Sequence, residues 1–515
     1  MVHVGGQAAG LEPGPERPLG HLHARATERG DPAFTFGPSP FRDPPLLHKN
    51  VGKTANGSGM RRVCAAMTLV LAGLSACSAQ DPARSSPNSP AAPGRSAVAD
   101  QGGADWTTYH GDPARTGVAA QVPPVGRLSI GWRAPLDGAV YGQPLVIGDT
   151  VIAATEGDTV YALDRRTGKE RWHRNLGKPV PLSALPCGSI DPLGITGTPV
   201  YDPSTHRVYA VAESTGFKHT LYGLDLADGA VKSQRDIPAP DGHPQVDQQR
   251  AALALAGGRV YVAFGGLNGD CGPYVGSVVG VPVTGNGDLV TYKVPTTREG
   301  GIWATGGPTL SPDGTLYVSV GNGAATSGAF DSSDSVTALT PELRPRSVFA
   351  PKVWADDNAR DLDLGSMAPA VLSNDRVLIA GKRGIAYLLR APDLGGVGGE
   401  ITQAKVCEAY GGPAHTTKTV YLPCRGGLAA VDVTGDRIRV LWRGPSGAAG
   451  SPVVGGGAVW VADWDSGVVY ALDQTTGRTR QKIGVGELPH FASPTLSGSL
   501  ALIGTLDGVV AVAGA

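Results

Sequence analysis

Residues 159–168 read TVYALDRRTG, and residues 468–477 read VVYALDQTTG. Each stretch alternates apolar side chains as a short β-strand does, and each ends in a Thr-Gly pair that supplies the positive φ of a tight turn. A second apolar strand precedes each stretch, at residues 150–153 and 458–461. The chain therefore repeats a unit made of short strands joined by tight turns.

The start of each unit carries a shorter signature, in which two small residues and a proline open an apolar strand. Eight such openings, one of them degenerate, lie 39 to 61 residues apart and begin at Gly142, Gly197, Arg250, Gly306, Met367, Gly411, Gly450 and Ala492. This spacing is typical of four-stranded propeller blades, and the strand-like units exclude a helical solenoid. We predict an all-β fold, an eight-bladed β-propeller over residues 105–515. A seven-bladed ring in which the degenerate third unit is an insertion is the alternative.

The last unit ends at Ala515 after only three strands. Residues 130–135 read IGWRAP and copy the outer-strand pattern LWRGP of residues 441–445. We therefore expect the N-terminal strand to complete the eighth blade, which leaves no long unpaired edge where the ring closes.

The balance of charged residues argues against some classes of function. The chain has 44 Lys plus Arg against 45 Asp plus Glu, a net charge of -1, and 41% hydrophobic residues. Such a balance gives no overall positive field for nucleic acid or an anionic membrane surface, so nucleic acid is not an expected partner.

Export signals stand near the N-terminus. Met60-Arg61-Arg62 precedes the apolar run 63–76, which is too short to span a bilayer and reads as a signal-peptide core. The run ends in Leu-Ser-Ala-Cys, which resembles the lipobox of bacterial lipoproteins and implies a lipid on Cys77. The alternative is an ordinary secretory signal with a chance cysteine. In both cases we expect an exported protein, and with the lipid a membrane-anchored one facing the periplasm or the cell exterior.

The remaining N-terminal segments lack the periodicity of packed structure. Residues 1–59 are rich in Pro, Gly, His and Arg, and we interpret them as a mis-assigned start or disordered extension before a signal peptide at 60–76. Residues 77–104 are rich in Ser, Pro, Ala and Gly, which predicts a flexible tether.

Four cysteines remain in the expected propeller, and they allow three pairings. We expect Cys407 to pair with Cys424, because they are close in sequence. We expect Cys187 to pair with Cys271, because a blade-joining loop and a hairpin loop place them on the same face.

That face also collects most of the chemically active side chains, because hairpin loops between second and third strands emerge there with the loops that join blades. They are Glu156, Asp158, Glu213, Lys218, His219, Asp270, Trp303, Asn322, Asp331, Asp334, Asp361, Asp363, Lys382, Asp463, Asp465, His490 and Asp507.

The opening DWTTYHGD at residues 105–112, with Arg-Thr-Gly at 115–117 and the Tyr-Ala-Leu-Asp and Thr-Gly endings of the repeats, resembles PQQ-like (pyrroloquinoline quinone repeat) propeller proteins. This superfamily contains quinoprotein dehydrogenases and non-enzymatic BamB-like scaffolds of outer-membrane assembly. The resemblance covers the whole expected domain, and it implies the fold more strongly than an activity.

Several segments are similar to the quinoprotein active site. The resemblance implies that Trp303 stacks on PQQ, that Asn322 binds calcium and that Lys382 contacts the quinone. It also implies that Asp363 is the catalytic aspartate, which takes the substrate's hydroxyl proton while hydride passes to the quinone. Glu213 occupies the blade position of the remaining calcium carboxylate, so Glu213, Asn322 and Asp363 would form the calcium site.

Structural roles are the alternative for the same residues. Asn322-Gly323 is typical of a tight hairpin turn, Trp303 can pack at a blade junction, and Lys382 can cap a turn. The corresponding alternative function is a lipid-anchored scaffold with a protein partner instead of a small molecule. The lipobox, the tether and the absence of the Cys-Cys dipeptide that such dehydrogenases often carry favour that function.

Overall fold

Eight sheets, whose principal strands pair antiparallel, form the described part of the protein. The structure is a computed structural model that describes residues 104–373 and 375–515. Each sheet has four principal strands and is called a blade below, numbered along the chain. Within these residues, the single α-helix spans Trp354–Ala359, and two short 3-10 helices span Leu182–Ala184 and Leu364–Ser366.

The strands of each blade are given from the innermost outward. Blade 1 has Leu145–Ile147, Thr150–Ala154, Thr159–Asp164 and Glu170–Asn175, and blade 2 has Val200–Asp202, Arg207–Ser214, Lys218–Asp225 and Val231–Ile237. Blade 3 has Ala254–Ala256, Arg259–Gly266, Ser277–Pro282 and Val290–Lys293, and blade 4 has Thr309–Leu310, Leu316–Val320, Ser335–Leu339 and Pro345–Ala350. Blade 5 has Ala370–Leu372, Arg376–Ala380, Ile385–Arg390 and Thr402–Lys405, and blade 6 has Ala414–His415, Thr419–Leu422, Ala429–Asp432 and Arg439–Arg443. Blade 7 has Val453–Gly455, Ala458–Asp463, Val468–Asp473 and Thr479–Gly484, and blade 8 has Thr495–Ser497, Leu500–Thr505, Gly508–Ala513 and Ser129–Pro135. Short added strands extend blades 3, 4 and 7, and they are Asp247–Gln248, Gly396–Val397 and Val118–Ala119 respectively.

The prediction of eight blades is confirmed. The degenerate third unit is a complete blade and not an insertion, so the seven-bladed alternative is wrong.

Ring closure also follows the prediction. Ser129–Pro135 pairs antiparallel with Gly508–Ala513 as the outermost strand of blade 8. The first and last parts of the propeller are thus hydrogen-bonded within one sheet, which removes the edge that an open ring would expose.

A tryptophan on the outermost strand locks each of three blades to the next. The Trp172 indole of blade 1 donates a hydrogen bond to the Leu226 carbonyl of blade 2, 2.9 Å away, and its ring lies against Gly229. Trp132 of blade 8 makes the same contact with the Arg165 carbonyl and with Gly168 of blade 1. Trp442 of blade 6 repeats it on blade 7. In each case the tryptophan of one blade and the glycine of the next blade therefore form the contact between the two blades.

An N-terminal segment, residues 105–119, runs past the innermost strands of several blades. Its backbone hydrogen bonds reach blades 1, 2, 4, 6 and 7, through Val146, Tyr201, Leu310, His415 and Val454. Arg115 is buried and donates to the carbonyls of Tyr109, Leu253 and Pro308. This segment, which contains the DWTTYHGD motif, thus connects five of the eight blades along their innermost strands.

Two disulfides form as predicted, Cys187–Cys271 and Cys407–Cys424. They indicate an oxidising compartment. No helix within the described residues has the length and apolar character needed to cross a bilayer. The signal segment 60–76 and Cys77 lie outside the described residues.

Candidate functional site

Three of the five predicted site residues meet in one hydrogen-bonded group. Asn322 follows the second strand of blade 4, Asp363 lies in the connection between blades 4 and 5, and Lys382 follows the second strand of blade 5. Because second strands end at the same face of a propeller, distant parts of the sequence come together there.

Lys382 lies between two carboxylates. Its Nζ is 2.6 Å from Asp361 Oδ1 and 2.6 Å from Asp363 Oδ2. Asp363 and Lys382 are largely buried, with side chains 9% and 15% exposed, whereas Asp361 is exposed. Burial acts to lower the pKa of the Lys382 ammonium, but the charges of Asp363 and Asp361 outweigh it, and the net shift is upward. Lys382 is therefore a fixed positive charge.

Asn322 completes this group. Its backbone N–H donates to Asp363 Oδ1 over 2.6 Å, and its side-chain amide donates to Asp361 Oδ1 over 2.9 Å. The Asn322 Oδ1 atom is buried and accepts no hydrogen bond. One oxygen acceptor thus remains open beside the two carboxylates.

The loop after Asn322 is long. The second strand of blade 4 ends at Val320 and the third begins at Ser335, so the tight-hairpin interpretation of Asn322-Gly323 is wrong. Asn358, on the helix Trp354–Ala359, holds this loop. Its Oδ1 accepts from the Gly323 amide over 2.7 Å, and its Nδ2 donates to the Ala325 carbonyl over 2.6 Å.

Trp303 lies beside the polar group. A methyl group added at Gly321 would come 3.2 Å from Trp303 Nε1 and would overlap Asp363 Oδ1, so indole and carboxylate share one small space. The nearest described aromatic ring to Trp303, that of Phe491, is 6.4 Å away between centres and inclined by 53°. Trp303 is half-buried and has no face-to-face stacking partner among the described rings.

Further acids surround the group, and sequence reasoning missed the role of most of them. Asp334 is fully buried, and its Oδ1 accepts from the Leu364 amide, whereas its Oδ2 has no partner. Burial, reinforced by the charge of Asp363, raises the pKa of Asp334 well above its usual range. Burial also raises the pKa of Glu299. Asp334 was among the residues expected on this face, whereas Glu299 was not, and the packing places both beside the site.

The backbone of this face is unusual as well. Five acidic residues in its loops have positive φ, which few non-glycine residues adopt: Asp158, Asp270, Glu299, Asp334 and Asp361. Conformations of this kind persist where surrounding contacts impose them, and they concentrate at functional sites.

Glu213 lies in a different group. Its Oε2 is 3.1 Å from His219 Nε2, and both side chains are buried. The charge of Glu213 acts on Glu156, Asp158 and Asp247. No hydrogen bond or ion pair within residues 104–373 and 375–515 joins it to Asn322 or Asp363.

This second group is a cluster of buried acids. Burial raises the pKa of Glu156 and of Asp158 to about 8, and that of Asp247 to about 9. Both carboxyl oxygens of Asp158 and of Asp247 have no hydrogen-bond partner. These carboxyls are therefore largely protonated at neutral pH.

A small cavity lies among blade connections, where its lining includes Gln143, Thr198 and Ser493. Its volume is about 10 Å³, which is room for about one water molecule. Arg250 and Phe491 both line it, and the guanidinium carbon of Arg250 is 4.9 Å from the centre of the Phe491 ring.

Comparison with known proteins agrees with this fold. A family model described as outer membrane protein assembly factor BamB matches residues 128–318. No curated protein matches the chain in sequence. The fold is similar to that of quinohemoprotein alcohol dehydrogenase from Comamonas testosteroni, with 15% identity, 79% of this chain and 80% of that chain covered, and a TM-score of 0.60.

Two other solved structures show the same likeness. BamB from Moraxella catarrhalis is 18% identical, over 75% of this chain and 97% of that chain, with a TM-score of 0.52. A europium-containing methanol dehydrogenase is 14% identical, with 79% of this chain and 97% of that chain covered and a TM-score of 0.60. At these identities the likeness shows the fold alone. The family model covers less than half of the chain, so these matches show an eight-bladed β-propeller fold that is similar to that of quinohemoprotein alcohol dehydrogenase and of BamB.

Proposed function

We propose that this protein is an exported PQQ-like propeller that binds PQQ beside Trp303 and acts as a quinoprotein-type oxidoreductase. The observation that carries the proposal is the meeting of Asn322, Asp363 and Lys382 in one polar group next to a half-buried indole.

The residues present fit the quinone. Trp303 offers a flat ring without a face-to-face partner among the described residues, and Lys382 offers a fixed positive charge to a ligand that carries carboxylates. PQQ, when bound, supplies the two-electron acceptor. The site itself must then hold an alcohol and remove its proton.

Asp363 is suited to receive that proton. Its carboxylate is held by the Asn322 amide on one oxygen and by Lys382 on the other, which fixes its orientation. A general base acts best when its position is fixed within hydrogen-bond reach of the hydroxyl group. Asp361 orients Lys382 from the solvent side.

Calorimetric titration of the full chain with PQQ tests the proposal. We expect binding by the wild type and loss of binding in Lys382→Met, while Asp363→Asn keeps binding and loses PQQ-dependent dye reduction with alcohols. Asp436→Asn is the matched control, because its exposed carboxylate pairs with Arg376 at the opposite end of blade 5. A folded wild-type protein that binds no PQQ overturns the proposal.

A non-enzymatic scaffold is the second candidate function, and the family model described as BamB favours it. In that case, cross-linking in the intact envelope should capture a protein partner, and Asp363→Asn should leave the cross-link unchanged. Loss of the cross-link with changes at exposed loops, together with no PQQ binding, would decide for the scaffold.

We also propose export with a lipid on Cys77. The lipobox-like Leu-Ser-Ala-Cys at residues 74–77 and the two disulfides support this proposal. Mass spectrometry of the mature N-terminus tests it. A diacylated cysteine at position 77 is the expected result, and a mature chain that starts elsewhere or carries no lipid contradicts it.

A further inference from the structure

The oxygen atoms that would hold a metal at this site are already engaged. Asp363 Oδ2 and Asp361 Oδ1 both contact Lys382 Nζ, and Asp363 Oδ1 accepts from the Asn322 amide. Asn322 Oδ1 is the one donor atom of the expected calcium set that lies here unpartnered.

Calcium does not fit this arrangement. It takes six to eight oxygen ligands at about 2.3–2.6 Å, most of them carboxylates and carbonyls. An ammonium group at 2.6 Å from both carboxylates occupies the space between them and already offsets one of their two negative charges. Glu213, the other expected carboxylate, lies apart from this group, with its Oε2 atom 3.1 Å from His219 Nε2. Within the described residues, no group of three His, Cys, Asp or Glu side chains is placed to hold a metal ion.

We infer that Lys382 takes the place of the metal ion, and that the site around Asp361, Asp363 and Asn322 binds its ligand without a divalent cation. The nature of that ligand rests on the proposed function, but the absence of a metal requirement does not. Lys382 is thus a specificity-determining residue, because its charge excludes a second cation from these carboxylates.

Removing the ammonium should uncover a cation site. Lys382→Met keeps the length and apolar stem of the side chain but frees both carboxylates and leaves Asn322 Oδ1 beside them. Terbium(III) prefers hard oxygen ligands as calcium does, and the nearby Trp303 indole can sensitise its luminescence. Titration with terbium, without any quinone, therefore reports directly on these carboxylates.

We expect terbium to bind at least about tenfold more tightly to Lys382→Met than to the wild type, because affinity at oxygen sites follows ligand charge. The gain should disappear in Lys382→Met with Asp363→Asn, and calcium should compete with terbium. The double variant separates this site from the buried acids around Asp247. Lys382→Gln, which is polar and uncharged, should show the same gain and serves if the Met variant does not fold.

Two results would overturn the inference. One is terbium or calcium binding to the wild type with the same affinity as to the Lys382 variants. The other is no binding by folded Lys382 variants, which would mean that the lysine is not what occupies a cation position. A wild type that binds no PQQ contradicts the proposed function only. The inference about Lys382 is then decided by the terbium titration alone. If PQQ does bind, we expect the affinity to be unchanged by EDTA.

Discussion

The six-membered ring of the Trp172 indole lies directly over Gly229 of the next blade, so that a Cβ at position 229 would come 2.5 Å from Trp172 Cε3. Gly229 also has a φ of +68°. The glycine is therefore required both by its backbone conformation and by the close approach of the indole.

Gly229→Ala should lower the free energy of unfolding by about 2–4 kcal/mol, because a methyl group adds overlap to an unfavourable φ. Chemical denaturation measures the change. Gly435→Ala is the matched control, since Gly435 has a φ of +67° but nothing within 4 Å of its added Cβ. It should cost only about 1–2 kcal/mol. Equal losses in both variants would show that the indole contact contributes nothing.

Arg115→Ala should destabilise the protein by roughly 3–5 kcal/mol, because it leaves buried carbonyls of Leu253 and Pro308 without their charged donor. We also expect proteolysis to cut residues 105–119 sooner than in the wild type. Arg166→Ala, in an exposed turn of blade 1, should change stability by less than about 0.5 kcal/mol. If Arg115→Ala behaves like Arg166→Ala, the segment does not join the blades as described.

Stability should fall as the pH rises from about 6 to 9. Burial, together with the charges of Asp241 and Glu213, raises the pKa of Asp247 to about 9 from an ordinary value near 4. The folded state thus binds a proton that the unfolded state has released, and its stability is lost as the pH approaches the folded pKa. Glu156 and Asp158 act in the same direction.

Melting temperatures between pH 6 and 9 check this dependence. Asp247→Asn removes one titrating group, so its melting temperature should fall less steeply with pH than that of the wild type. Asp436→Asn, at an exposed site, should follow the wild-type slope. Identical slopes for Asp247→Asn and the wild type would contradict the prediction.

Loss of the Cys187–Cys271 bridge should cost more than loss of Cys407–Cys424. The first closes a loop of 84 residues and the second a loop of 17. Loop-closure entropy then predicts losses of about 4.5 and about 3 kcal/mol for the paired Cys→Ala variants. Denaturation of both double variants under non-reducing conditions makes the comparison, and the reverse order would rule out loop length as the deciding factor.

Asn358→Ala should loosen the loop that follows Asn322. The Gly323 amide would lose its acceptor, so we expect it to exchange with deuterium about 10- to 100-fold faster, in line with the loss of one hydrogen bond of about 1–3 kcal/mol. Amides of the neighbouring strand Ser335–Leu339 should be unaffected. Asn286→Ala, in an exposed turn, is the control. Unchanged exchange at Gly323 would show that other contacts hold the loop.

The fold was open to prediction because it repeats. The Trp and Thr-Gly positions recur at equivalent places in the repeated unit. The eight openings, the number of blades and the closing strand at Ser129–Pro135 could therefore be predicted from the sequence alone. The pairing of Cys187 with Cys271 followed from the same topology.

The site was only partly predictable. Asn322, Asp363 and Lys382 were brought together as the resemblance implies, but Glu213 lies with His219 and the buried acids instead. Its position was inferred from its blade alone, and a blade position does not specify which neighbour a side chain faces. Asn358 and Glu299 had no sequence signal, because single residues in non-repeating loops form no pattern.

The sequence by itself determined the architecture, because each blade needs the same alternation of apolar residues, the same turns and the same inter-blade contact, and these requirements recur locally along the chain. Only the tertiary structure decided the chemistry of the site. Whether Asp361 and Asp363 face a metal ion or the ammonium of Lys382 depends on atoms from separate blades meeting within 2.6 Å, and that distance is set by how the loops pack.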